Sequence, residues 1–323
     1  MNAWHMLNRL VSPLATSPRL FRGVSGSQLF IFNYHEVSDT PSHFSRDFNL
    51  NVAPQTFARQ LRWMREHFNV VTPLQLLSGK FELPAAMVTF DDGFKSALTD
   101  GVAILRREKI PATIFVNMAP VQGEPFWSGV VTYLSRYSAS FRRFVSAKYG
   151  EPIQRDFFLR CTKSDVDEFC RAGAVGVLDE ASAYYGPFAS EGDIANSDGD
   201  EIFLGNHLFN HYNAAILPLA ELRQQYELNH EALSRHRNHV SFFSYPFGQP
   251  ESCYNEATDT LILGLGAERI FTAFPLPNRR SSASRLHRIS MSDHINTEAA
   301  FRTNCLLPAF VNDMFRKRRY SYV

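Results

Sequence analysis

The sequence predicts an α/β fold with a mainly parallel sheet, open or closed into a barrel. Two observations predict it. Short runs of β-branched and aromatic residues alternate with amphipathic stretches of helical period, which is the pattern of βα units. The chain has 323 residues, 45% of them hydrophobic, enough to bury a large core as one barrel-sized domain or two smaller ones.

Taken in order, residues 1–27 read as an N-terminal helical segment. Leu7, Leu10, Val11 and Leu14 fall at helical spacing, while Arg9, Arg19 and Arg22 make the segment basic. That pattern suits a helix packed on the domain or one lying on a membrane surface. QLFIFNY (28–34) reads as a buried strand running into His35 and Glu36. In the stretch Thr56–Phe68, the residues Phe57, Leu61, Met64 and Phe68 share one helical face. NVVTP (69–73), AAMVTF (85–90) and Ala112–Asn117 read as strands, and Ser96–Lys109 as a helix. Between about 124 and 201 the rhythm changes to helical segments with polar loops, an insertion within a domain spanning 28–323. The acidic stretch Glu191–Glu201 lacks the spacing of a calcium loop and reads as a solvated loop. A helix over 218–235, a strand Val240–Gly248, a helix Cys253–Leu263, and strands Arg269–Phe274 and Arg285–Met291 complete the chain.

Composition bounds the function. A net charge of +1, from 33 basic and 32 acidic residues, gives no sign of a general nucleic-acid binder. The cysteines Cys161, Cys170, Cys253 and Cys305 form no CxxC pair, which argues for a reduced compartment and against a zinc knuckle. Asn8, Arg9 and Pro13 interrupt the apolar run of a secretion signal. The expected location is therefore the cytoplasm, or the inner-membrane periphery through the basic termini, which include Arg316–Tyr320.

The stretch VTFDDGF (88–94) sets the chemical question. Asp-Gly explains a turn after a strand. It does not explain Asp91 beside Asp92, because adjacent carboxylates repel unless something positive binds there. GNHLFNH offers a reason. His207 and His211 stand four residues apart, so a helix or helical turn would put both imidazoles on one face. Two histidines with a carboxylate, Asp92 or Asp91, make a common three-ligand zinc set with an open position.

TFDDGF, NHLFNH and SYPFG, in that order, resemble the motifs of the polysaccharide deacetylase family, also called the NodB-homology family or carbohydrate esterase family four. NYHEV, Phe57–Leu76 and LHRIS are similar to its exopolysaccharide-linked subgroup. The resemblance covers roughly 29–292 apart from the helical block. It implies a distorted (β/α) barrel with fewer than eight strands and one divalent metal, usually zinc, on Asp92, His207 and His211. It implies Asp91 as general base toward the attacking water, and the Phe247 backbone N–H toward the oxyanion. His287, with His294 as second choice, would donate to the leaving amine. Tyr245, Pro246, Arg288 and Trp127 are the expected substrate contacts, although Trp127, like Phe126, also suits core packing. The implied substrate is an acetylated amino-sugar glycan or a lipid-linked precursor. Two departures stand out. Ser244 occupies a position where many members carry the arginine that orients the base, so Arg288 or Arg285 is expected to serve. No DxxDW-like fourth motif is visible between Gly248 and Leu286. An O-acetyl esterase, a non-sugar amidase and an inactive glycan-binding protein are the competing readings. His35, ending the first strand, faces the site or is structural.

Overall fold

The structure is a computed structural model describing residues 17–150, 161, 163–171, 176–199, 201–279 and 281–315, with side chains to 307. Among the described residues eleven strands are assigned: β1 Leu29–Tyr34, β2 Glu36–Val37, β3 Asn51–Val52, β4 Asn69–Val70, β5 Ala85–Phe90, β6 Ala112–Val116, β7 Ile202–Asn206, β8 His239–Ser244, β9 Arg269–Thr272, β10 Arg285–His287 and β11 Ile289–Ser290. The main sheet runs β10-β9-β8-β7-β6-β5-β1-β11, with every pairing parallel. β4 pairs with the start of β5, ahead of the point where β6 takes over. β2 and β3 form a separate pair.

This is a nearly closed, distorted barrel. The sheet path holds eight strands rather than fewer, because the short β10 and β11 pair at its two edges. These two strands correct the single strand expected over Arg285–Met291. They are consecutive in the chain, with only Arg288 between them, yet they lie on opposite edges. The backbone at Arg288 thus spans the seam of the barrel.

Strand alternation builds two layers of core. Leu29, Ile31, Met87, Phe115, Phe242, Phe271 and Leu286 fill the barrel interior. Phe30, Phe32, Val88, Phe90 and Ile114 face outward, beneath the helices Pro54–His67, Val102–Glu108 and Glu298–Phe315. Burial on both faces is why these strands are apolar without interruption. Helix Pro54–His67 starts on Pro54 and presents Phe57, Leu61 and Met64 inward, with Trp63 against the same core. Phe301 closes the outer layer, packing on Phe32, Phe68, Trp63 and His67.

Between β6 and β7 lie the insertion helices Trp127–Tyr137, Ala139–Tyr149, Lys163–Arg171 and Val177–Tyr185. The acidic stretch after them is not simply a loop. Glu191–Asn196 is a helix, started by a reciprocal cap between Ser190 and Asp193, an arrangement that satisfies two otherwise orphaned N–H groups. The helix expected from Cys253 likewise starts later, at Glu256, where Asn255 and Thr258 cap it. Of the N-terminal segment, Pro18–Ser25 is helical and buries Phe21 against His67 and Phe68. Leu7, Arg9, Leu10, Val11 and Leu14 lie outside the described residues, as does the basic tail from Arg316.

Phe301 is fully buried. Phe301→Ala is expected to cost about 3–5 kcal/mol, read as a lowered urea midpoint, while leaving the strands of the barrel mouth in place.

Candidate active site

β5 ends at Phe90 and the chain turns at once. The Asp91 N–H donates to Tyr34 O at 3.0 Å, and the Gly93 N–H returns to Asp91 O at 3.0 Å. Between them Asp92 takes φ +73°, a left-handed conformation that aspartate adopts more readily than most residues. The turn separates the two carboxylates: Asp91 meets Arg288, and Asp92 meets His207 and His211. Each has its own counter-group, so two neighbouring acids are tolerated in a buried place.

The two histidines do not sit on a helical turn. They lie in an irregular loop after β7, in which Leu208 has φ +60° and His211 φ +57°. Asparagines hold this path. Asn206 Oδ1 accepts the Leu208 N–H at 2.9 Å. Asn117, just past β6, donates from Nδ2 to Leu208 O at 2.7 Å and also to His207 O. Asn229 donates to Asn206 Oδ1 at 2.9 Å and to Val116 O at 2.8 Å. The spacing expected of a helix is reproduced by side-chain bonds to a loop.

The ligand atoms of Asp92, His207 and His211 lie within 4.8 Å of one another, and all three residues are buried. His207 Nε2 is 3.4 Å and His211 Nε2 3.1 Å from Asp92 Oδ1. His207 Nδ1 is 2.8 Å from Ser244 O. A carbonyl only accepts, so Nδ1 carries the proton and, in the neutral ring, Nε2 turns a lone pair toward a carboxylate. Burial pushes the His211 imidazole down, against the pull of Asp92. Burial raises the Asp92 carboxyl, but His211 and His207 outweigh it and hold it well below the usual range. A bare His207 Nε2 facing an ionised carboxylate is repulsive without a cation between them. One oxygen and two ring nitrogens in this arrangement fit a divalent metal ion.

Arg288 is 1% exposed and finds an acceptor for every N–H. Nη1 and Nη2 grip Asp91 Oδ1 and Oδ2, each at 2.7 Å. Nη1 also reaches Asn33 Oδ1 at 2.9 Å, Nη2 reaches Ser244 Oγ at 2.8 Å, and Nε reaches Thr272 O at 3.2 Å. Asn33 Nδ2 donates to Asp91 Oδ2 at 3.0 Å. The contacts of one guanidinium therefore touch β1, β8 and β9 and the end of β5. Burial tends to raise the Asp91 carboxyl; Arg288 and His207 outweigh it and hold it below the carboxylate norm. Of the two candidate arginines, Arg288 is the one that meets Asp91. Arg285 instead pairs with Asp259 and lies over the Tyr254 ring.

Other expected site residues fall elsewhere. Alternation along β10 puts Leu286 in the barrel interior and His287 on the other face, against Thr272 Oγ1 at 3.0 Å and the Phe274 ring. Burial, with Arg285 nearby, lowers the His287 pKa to about 4, and neither Asp91 nor Asp92 is among the groups that act on it. His294 is exposed in the loop after β11. Tyr245 is buried, and its hydroxyl is spent on Asp259 Oδ1 at 2.8 Å and Thr258 Oγ1 at 3.0 Å. Pro246 is buried beneath a tight turn, its carbonyl accepting the Gly248 N–H at 2.7 Å. Trp127 is 3% exposed, packed in the insertion core with Lys163 over its ring, rather than offered to a sugar. Phe247 remains at the site. It has φ +62°, and its ring stands edge-on to His211 with centroids 4.8 Å apart. His35 is the histidine close enough to feel Asp92, Asp91, Arg288 and His207; burial lowers its pKa and the two aspartates oppose that. Its position at the end of the first strand was the available signal for it.

No family model and no curated protein matches the sequence. Solved structures match the fold. The chain is similar to a deacetylase, PplD, from Streptococcus pyogenes, solved in complex with acetate: TM-score 0.56, 16% identity, covering 86% of this chain and 99% of that one. It is similar to IcaB from Ammonifex degensii: TM-score 0.54, 19% identity, covering 87% and 99%. A de-N-acetylase from Aggregatibacter actinomycetemcomitans aligns with TM-score 0.51 and 16% identity over 84% and 98%. The architecture is thus the distorted barrel found in solved polysaccharide deacetylases.

Arg288→Met leaves a buried Asp91 without its partner and is expected to cost on the order of 3–5 kcal/mol at neutral pH. The sign with pH follows. In the wild type the depressed Asp91 pKa contributes stability above the unfolded value, lost as pH falls through the folded value. In the variant burial acts without that counter-charge, so Asp91 destabilises once ionised. The stability gap should therefore narrow on acidification, measured by urea midpoints across a pH series.

Proposed function

We propose that the protein is a metal-dependent hydrolase that removes N-acetyl groups from an amino sugar in a polysaccharide or glycan precursor, releasing acetate. One observation carries the reading: an arginine-held, ionised Asp91 adjoins a buried Asp92/His207/His211 set at the mouth of the barrel. The fold of solved deacetylases supports it.

The expected ion is zinc, held by Asp92, His207 and His211. When bound it supplies Lewis acidity, making water nucleophilic at neutral pH and polarising the acetamide carbonyl. The remaining work falls to the chain. Asp91 is ionised at neutral pH and takes the water's proton. Arg288, Asn33 and Ser244 fix its orientation, so that one carboxylate geometry serves the reaction. The Phe247 N–H, on a left-handed turn beside His211, is the donor proposed for the oxyanion. His35 replaces His287 as the proposed proton donor to the leaving amine. Water and amide give acetate and a free amino sugar.

The bidentate Asp91–Arg288 pair disfavours an inactive glycan-binding protein, because binding alone needs no oriented base.

Purified wild-type protein is expected to carry about one equivalent of divalent metal by elemental mass spectrometry, lost in Asp92→Ala and His207→Ala. Asp91→Asn is expected to keep its metal but lose acetate release by about 10²–10⁴-fold. His35→Ala should lose activity in the same range, whereas His287→Ala should not. A wild type that stays metal-free after reconstitution with zinc would sink the mechanism.

A further inference from the structure

We propose that Ser128, carried by the helical insertion, is a positioning residue for His211 and makes the insertion part of the metal centre. The inference rests on the reading of Asp92, His207 and His211 as metal ligands.

Ser128 Oγ lies 2.6 Å from His211 Nδ1, and both residues are buried. Ser128 occupies the first turn of helix Trp127–Tyr137. That turn is fixed from behind: a Cβ on Gly129 would collide with Tyr185, so the helix lies directly against helix Val177–Tyr185. Phe126, one step before the helix, packs on the His211 ring at 5.1 Å between centroids. Phe247 packs on it from the barrel at 4.8 Å. The far end of the insertion is tied to the catalytic turn itself. Phe188 bridges to Phe94, the Lys95 N–H donates to Pro187 O at 3.1 Å, and the Ala189 N–H donates to Gly93 O at 3.0 Å. The segment bearing Ser128 is anchored at both ends to elements that carry ligands.

The two imidazoles are held by different chemistry. His207 Nδ1 faces a carbonyl, which permits only one tautomer. His211 Nδ1 faces a hydroxyl, which accepts from Nδ1–H or donates to a bare Nδ1. In the first state Nε2 is bare and would be free to hold an ion. In the second, Nε2–H donates to Asp92 Oδ1, 3.1 Å away. The ring need not move between them. An ion held on Nε2 would require the first state, in which the Ser128 hydroxyl accepts a hydrogen bond from Nδ1–H. Ser128 therefore gives Nδ1 a partner and aims the His211 ring in either tautomer. Outer partners of this kind set metal affinity as well as ring orientation.

The test is zinc affinity, measured on metal-stripped protein by competition with a chromogenic chelator, with the melting temperature of the metal-free form alongside. Ser128→Ala is expected to bind zinc about 10–100-fold more weakly and to melt, metal-free, as the wild type does. On a His211→Ala background, Ser128→Ala should cause no further loss. Wild-type affinity in Ser128→Ala overturns the proposal while leaving the metal site intact. An equal loss on the His211→Ala background also overturns it, whatever the melting temperature, because Ser128 would then act on something other than His211. A wild type that takes up no zinc removes both the proposal and the reading beneath it.

Discussion

The bidentate grip of Arg288 on Asp91 is the contact on which the rest of the mouth depends. A carboxylate buried at the end of an apolar strand is costly unless its charge is met and its lone pairs filled. Arg288 does both, and Asn33 fills what remains. The same guanidinium reaches Ser244 and the Thr272 carbonyl, so the ends of neighbouring strands share one charged knot. Because Arg288 is also the residue between β10 and β11, the seam of the barrel and the orientation of Asp91 are one structural fact.

Much of this was legible in the sequence. The strand runs were apolar because both faces are covered, and the three motifs lay in the order in which the barrel brings them together. Asp91 and Asp92 were marked by repulsion that only a counter-charge could relieve. What was not legible was the path of GNHLFNH, since the bonds that bend it come from Asn117 and Asn229, far along the chain. His287 is a different case. Adjacent strand residues face opposite ways, so an inward Arg288 already implied an outward His287, and parity alone would have turned attention to His35. The Ser190–Asp193 cap in the acidic stretch was also readable, as a helix start hidden within a charge run.

The insertion interrupts the chain between the two halves of the buried Asp92/His207/His211 cluster, Asp92 before it and the histidines after it. In space it closes that interruption. Its aromatic residues Phe126, Tyr184 and Tyr185 pack with Phe44 and Phe94 from the barrel side, forming one apolar cluster with the wall around His211. A water-poor wall strengthens every charge interaction inside it.

The seam has a consequence for how the molecule is made. Synthesis proceeds from the N-terminus, and Arg288 is separated from Asn33 by 255 positions and from Asp91 by 197. Until the segment 285–290 leaves the ribosome, β1 and β9 each lack an edge partner and Asp91 has no guanidinium. Contacts this distant in sequence form late and slowly. Until then the sheet keeps open edges, and the step that brings Arg288 to Asp91 also closes them.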